Sequence, residues 1–431
     1  MTQIEIGFIG LAILAVLLLL AMDVGYTMLF TGFLGYALIA GWGGALTNLA
    51  ILPFDTVNNY TFAVLPLFML MGMLVSKGKI GAEAYDMART WFGQFKGGLA
   101  IATIFACGLF AAIQGTTLAG SLVMGKVAYP EMRKYGYKMP LAAGVISVGG
   151  TLGTLIPPSL GFILIGILAE LSIGKLFMAG ILPGITVIIF YTATISIWCK
   201  VDPNAAVATP KTSWKQKGAS LKLTWPVVGL FLLVMGGIYG GIFTATEAGA
   251  VGAVGALLIP LARRQIKSSE IWDAFWETAK LSAMIVILLA GAYMFNSFLA
   301  ITQIPNQFGE YLLSLQLPAW ITIILILIFY LLAGSFFDPI SILILTVPIF
   351  YPAVKMLGFD LIWYSVIMVR LIEIGQISPP AGINLFGLKG VIDAPMGQIF
   401  RGVIPFIIAD ILNIALLCAF PIISTLLPDL M

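Results

Sequence analysis

The chain has 431 residues, of which 60% are hydrophobic and only 10% charged, with a mean hydropathy of +1.06. Soluble domains carry about 25% charged residues, so composition selects a polytopic all-α membrane protein, and the long unbroken apolar runs exclude a transmembrane β-barrel. The net charge of +3 is scattered, which argues against nucleic acid as a partner, and the absence of His removes the commonest metal ligand, the usual general base and a His proton relay.

The first apolar run, 4–22, has no basic segment before it and reads as a retained span, not a cleaved signal. Runs follow at 25–41 and 60–76, then a closely spaced pair at 97–113 and 116–130, a long run at 139–170 and another at 176–199. A second series has runs at 224–242, 245–262 and 281–298, a pair at 319–335 and 338–352, a long run at 361–395 and a last run at 398–426. A helix of about 20 residues crosses a hydrocarbon core of roughly 30 Å. The members of each pair are short, and small polar tips interrupt them: QGTT at 114–117 and GSFFDP at 334–339. Each pair reads as a re-entrant hairpin. The runs 139–170 and 361–395 each contain a Pro-Pro break and read as one crossing made of two half-helices. Cys107, Cys199 and Cys418 lie far apart in apolar runs, without CxxC spacing, and read as packing residues.

The two series are copies. At an offset of 222, Tyr129-Pro130 meets Tyr351-Pro352, Gly136 meets Gly358, Gly153 meets Gly375, and Pro157-Pro158 meets Pro379-Pro380. Residues 1–222 form the first repeat and 223–431 the second. Basic residues orient them. Segment 77–98 carries Lys77, Lys79, Arg89 and Lys96, whereas its partner 299–320 carries no Lys or Arg. Segment 126–138 has Lys126, Arg133, Lys134 and Lys138; its partner 348–360 has only Lys355. The positive-inside rule puts the first of each pair in the cytoplasm and the second outside. The Lys-rich loop 200–222 and the stretch 263–280 fall inside, and Lys175 is the lone exception. Five full crossings per repeat then invert the second. Inverted repeats with broken helices are the pattern of secondary transporters, which bind substrate and coupling ion near the midplane.

The breaks have a chemical use. Proline frees backbone carbonyls, and in lipid a freed carbonyl needs a partner. A hard cation such as Na⁺ is one, and half-helix N-termini attract anions. Gly149, Gly150, Thr151, Gly153 and Pro157, with Gly115, Thr116 and Thr117 of the first tip, form one candidate cation cage. Gly375, Gln376, Ser378 and Pro379, with Gly334, Ser335 and Asp338 of the second tip, form the other. Ser159 and Asn384 lie just past the breaks and are candidates for substrate contact or for bonding freed carbonyls. The competing reading is that the prolines only kink helices while Thr and Ser bond back to carbonyls. Among charges inside spans, Asp338 is the sharpest cation-ligand candidate. Arg370 has two open readings: an i,i+3 pair with Glu373, or contact with an anionic substrate. Glu247 and Asp410 read as structural, holding helix ends or meeting a partner subunit. Segments 79–95 and 302–317 are amphipathic and read as interfacial helices, arms joining a scaffold to a moving domain. That scaffold comes from 4–76, 224–298 and parts of 176–199 and 398–426; the moving domain comes from the hairpins and broken helices.

With GGTLGTLIPPS at 149–159, GIFTATEAGAV at 241–251, SFFDP at 335–339 and EIGQISPPAGINLF at 373–386, essentially the whole chain resembles the large permease subunit of TRAP (tripartite ATP-independent periplasmic) transporters. It departs from the usual family pattern at Ala245, where Pro is typical, and at QGTT, a tip often richer in Ser; neither change removes oxygen ligands. The resemblance implies a bacterial inner-membrane symporter that works by an elevator motion, as in the wider ion-transporter superfamily. Its cargo would be an organic-acid anion, such as sialic acid or a C4-dicarboxylate, driven by Na⁺, with two or more coupling ions. It also implies a small four-helix membrane subunit and a soluble periplasmic substrate-binding protein as partners. The alternative on the same frame is a proton-coupled or facilitative solute transporter. Without His, an intramembrane Ser–His or zinc enzyme is excluded; no GxxxxGK[ST] supports an ATP-driven pump, and an open channel suits paired hairpins poorly.

Overall fold

The computed structural model describes residues 2–78, 80–115 and 117–431, and among these it is entirely helical. In the first half the helices are α1 (Gln3–Leu19), α2 (Val24–Ala40), α3 (Trp42–Asn58), α4 (Val64–Lys77), α5 (Ile80–Phe92), α6 (Gly98–Gln114), α7 (Thr117–Lys134), α8 (Met139–Gly150), α9 (Leu160–Leu168) and α10 (Ile173–Val201). The second half has α11 (Trp214–Tyr239), α12 (Ala245–Ala262), α13 (Ser268–Thr302), α14 (Ile304–Ser314), α15 (Ala319–Phe336), α16 (Pro339–Met356), α17 (Leu361–Ile377), α18 (Ile383–Lys389), α19 (Met396–Ala419) and α20 (Ile422–Asp429). Seven of the described helical segments are long and apolar enough to cross a membrane, including α10, α13, α15, α16 and α19.

Several boundaries differ from the sequence reading. Helix α3 falls in a stretch assigned no span, because Gly43, Gly44, Thr47, Asn48 and Asp55 lower its hydropathy and Pro53 sits inside it. Helix α13 is 35 residues long and starts 13 positions before the expected 281, on a polar first turn where Glu270 accepts the Lys267 N–H at 2.7 Å. Helix α11 likewise starts early, at a capping box in which Gln216 accepts the Ser213 N–H at 2.8 Å and Ser213 Oγ accepts the Gln216 N–H at 3.3 Å. The hairpin arms α15 and α16 are not short: each has 18 residues, so length alone would let them cross. The half-helix after the second break has only 7 residues.

Packing separates two groups of helices. Helices α1–α4 and α11–α13 pack chiefly on one another, with α2 against α13 and α4 against α12. They expose much apolar surface; α1 buries only Gly7, Gly10 and Leu14. The second group surrounds α8 and α17, which are buried almost along their whole lengths, from Leu141 to Gly150 and from Trp363 to Ile377. Non-helical backbone survives at membrane depth only where protein or a cavity surrounds it, a condition the buried break after α8 meets. Helix α7 packs on α18, and α16 on α9, so each hairpin lies beside the half-helix that follows the other half's break. The amphipathic helices α5 and α14 lie against α6 and α16, respectively.

Candidate functional site

The breaks differ in detail. Helix α8 passes into a tight 3₁₀ turn at Thr151–Thr154, runs through Pro157-Pro158 and restarts at α9, whose N-cap Ser159 Oγ accepts the Phe162 N–H at 3.4 Å. Helix α17 ends at an extended Ser378, and the chain passes Pro379-Pro380 and a left-handed Gly382, φ +60°, before α18. Both Pro-Pro bonds are cis. Pro157 and Pro158 are buried, whereas Pro379 and Pro380 are exposed, so the two breaks do not offer equivalent cages.

A cavity of about 300 Å³ lies between the hairpins and the breaks. From the first half it is lined by Thr117, Leu118, Thr154 and Gly161; 222 positions on, Pro339, Ile340, Gln376 and Ile383 line it from the second. Its other polar groups are Asp338, Glu373 and Asn384, and Gly115 closes the first tip at φ +67°. Four helix N-termini, those of α7, α9, α16 and the short α18, open onto this space. Helix N-termini present partial positive charge to an anion. Against this stand two carboxyl groups, and no Lys or Arg lines the cavity. The chamber therefore combines anion-binding backbone with fixed negative charge.

Of the residues expected in cation cages, Gly115, Thr117, Asp338 and Gln376 line the cavity, and Thr116 lies outside the described residues. Gly149, Gly150, Thr151, Gly153, Pro157, Gly334, Ser335, Gly375, Ser378 and Pro379 do not line it. The hydroxyls of the breaks bond locally. Thr151 donates to Val148 O at 2.8 Å, Ser378 to Ile374 O at 2.6 Å, Ser335 to Leu331 O at 3.4 Å, and Ser159 to Thr154 O. The back-bonding reading thus describes these side chains, while a carbonyl's second lone pair stays free for another partner. Asn384, expected at the substrate, lines the cavity and donates to Gln376 Oε1 at 2.7 Å; Ser159 does not line it. Asp338 is exposed and caps α16, accepting the Ser341 N–H at 3.0 Å.

Gly334 of the second tip and Gly375 of α17 pack closely. A Cβ on Gly375 would sit 2.6 Å from Leu331 O and 2.7 Å from Gly334 Cα, and one on Gly334 would sit 2.5 Å from Ile372 O. Backbone therefore meets backbone where the hairpin touches α17.

Both readings of Arg370 need correction. Its side chain is 0% exposed and does not line the cavity. The guanidinium donates to Asp410 and to the Tyr191 hydroxyl, and to Thr151 Oγ1 at 2.9 Å; Tyr191 in turn donates to Asp410 Oδ2 at 2.9 Å. An arginine paired with a buried carboxylate and set back from the cavity is not placed to meet a substrate there, and Glu373 is not its ion-pair partner. The cluster ties α10, α17, α19 and the 3₁₀ turn of the first break together, which gives Asp410 its structural role. Glu247 serves a helix end, capping α12 by accepting the Thr244 N–H at 2.8 Å. Sequence reasoning missed Thr154 and the cavity position of Glu373. The repeat held the signal for Thr154, which is the 222-offset partner of Gln376.

The sequence pattern of the DctM component of tripartite ATP-independent periplasmic transporters matches residues 11–423. The chain belongs to this family. As a DctM-family protein it is a multi-pass permease of the bacterial cytoplasmic membrane, part of a tripartite system that imports an organic solute, and not an enzyme. The C4-dicarboxylate TRAP transporter large permease DctM of Pseudomonas aeruginosa is 35% identical over 401 residues, 90% of this chain and 93% of its own. The ectoine TRAP transporter large permease TeaC of Halomonas elongata is 30% identical over 416 residues, 96% of this chain and 97% of its own. The crystal structure of the Alcanivorax borkumensis YdaH transporter, described as having an unusual topology, superposes with a TM-score of 0.66 at 16% identity, over 91% of this chain and 89% of its own. At that identity the likeness concerns fold alone.

Proposed function

We propose that this DctM-family permease imports an organic-acid anion together with Na⁺, and that both pass through the cavity between the breaks. One observation carries the reading: four helix N-termini converge on a chamber that also holds Asp338 and Glu373 and has no basic lining residue. An anion brought there alone would meet two carboxylates; accompanied by cations, it meets the helix ends at reduced cost. The lack of His favours Na⁺ over protons as the coupling ion. Carbonyls and hydroxyls at the tips and breaks, with Asp338, supply the two cation cages. A C4-dicarboxylate is the first candidate cargo, since a relative named for it is 35% identical; sialic acid is the second.

On this reading the two halves are inverted repeats, and the hairpins re-enter from opposite faces. Helices α1–α4 and α11–α13 stay fixed, while the hairpins and broken helices move as an elevator carried on the arms α5 and α14. A small four-helix membrane subunit covers part of the fixed domain, and a periplasmic binding protein delivers the ligand. The test is uptake of labelled succinate and of sialic acid into proteoliposomes holding this chain, its small subunit and the binding protein. Accumulation that requires an inward Na⁺ gradient supports the proposal; equal uptake without Na⁺ refutes it.

A further inference from the structure

We infer that Glu373 is the charged centre of a further monovalent-cation site, with the Thr117 hydroxyl as its second oxygen. It borders the first tip-and-break cage through Thr117 but centres on a carboxylate that neither cage contains, and it deepens the cation-coupled reading, on which it rests. The carboxyl is buried, at 1% exposure, yet it lines the central cavity. Oε2 accepts the Thr117 hydroxyl at 2.5 Å, across 256 residues of sequence. Oε1 has no hydrogen-bond partner among the described residues. An ionised carboxylate can accept about four hydrogen bonds; this one accepts one from Thr117, with the Thr154 hydroxyl beside it.

The counter-charge one helical turn away is not free. Arg370 gives its guanidinium to Asp410, Tyr191 and Thr151, and Glu373 has no ion pair among the described residues. A buried charge without a partner is strongly unfavourable. Arg370 and Asp410 cancel, which leaves Glu373 as the uncompensated charge of this buried region. Glu373 lines the central cavity, so an ion that enters through it can reach the carboxyl.

The donor set fixes the ion's class. Among the described residues, no group of three or more Asp, Glu, Cys or His side chains converges anywhere, so a divalent metal lacks its usual ligands. A single carboxylate with the hydroxyl of Thr117 matches a single positive charge. Thr117 begins α7 at the first hairpin tip, and Glu373 belongs to α17. A cation held here therefore joins the first hairpin to the second half's broken helix, adding to the α7–α18 packing and the Thr117–Glu373 hydrogen bond.

The test uses the full-length purified chain in detergent. Its unfolding temperature is titrated with NaCl against choline chloride at constant ionic strength, because a ion that binds only the native state raises the midpoint. Glu373→Gln keeps the shape and removes the charge. It is expected to raise the Na⁺ concentration for half-maximal stabilisation by about tenfold or more. Should that variant not be recovered folded, Thr117→Val is expected to shift the titration in the same direction. A Glu373→Gln or Thr117→Val titration that overlays the wild type overturns the Glu373 site and leaves Na⁺ coupling standing. A wild-type protein with no Na⁺ response overturns both.

Discussion

Gly375→Ala probes the place where the second hairpin docks on α17. The new Cβ would lie 2.6 Å from Leu331 O and 2.7 Å from Gly334 Cα and C. Ordinary heavy-atom contacts fall at about 3.5–4.0 Å, so the shortfall is about 0.8–0.9 Å, and all three atoms are backbone. No rotamer change relieves it; the hairpin tip must back away. Overpacking of this kind costs about 1–3 kcal/mol, equivalent to a roughly 5- to 150-fold smaller population of docked tip. The expected result is an initial uptake rate in proteoliposomes that falls within that range, from protein that still purifies as a folded species. Gly334→Ala should behave alike, because its Cβ would lie 2.5 Å from Ile372 O in the same contact, and the double variant should be less than additive. Gly236→Ala, where a Cβ meets nothing within 4 Å, is the control. A Gly375→Ala protein with wild-type uptake and wild-type Na⁺ dependence would refute the docking argument.

Three further outcomes follow from the same geometry. Arg370→Met leaves Asp410 as an unpaired buried charge and should cost about 3–5 kcal/mol of stability, while the double change Arg370→Met with Asp410→Leu should recover part of it; thermal unfolding of the purified variants checks both. Asp338→Ala should raise the Na⁺ concentration needed for half-maximal uptake and, through loss of the α16 cap, cost about 1 kcal/mol; unchanged Na⁺ dependence removes Asp338 from the cage. Replacing Pro379-Pro380 by Ala-Ala lets α17 continue into α18, so uptake should be lost with expression intact, and normal uptake would contradict the need for the break.

What the sequence made legible were features that violate helix or bilayer rules locally. Two prolines in an apolar run marked each break, Gly115 and Asp338 marked the hairpin tips, and the mixed faces of 79–95 and 302–317 marked α5 and α14. Hydropathy lost α3 and the first third of α13, because polar residues such as Asn48, Asp55, Asp273 and Glu277 fill them while α2 and α4 cover their neighbours. The partners of Arg370 were out of reach for a different reason. Asp410 is 40 positions away and Tyr191 179, and no local spacing encodes which of several intramembrane charges will meet. The nearest candidate, Glu373, instead reaches Thr117 across the molecule. Charge pairing between separate helices is a property of packing, and in a membrane protein most spans have a similar apolar face.

The central claim is that cations travel with the substrate through a chamber carrying fixed negative charge. The most direct measurement is the simultaneous flux of isotopic Na⁺ and labelled succinate into proteoliposomes clamped at zero membrane potential, with the small subunit and binding protein present. The account predicts succinate-dependent Na⁺ entry, with more than one Na⁺ per substrate, that disappears when either is omitted. Succinate entry with no accompanying Na⁺ flux would contradict it.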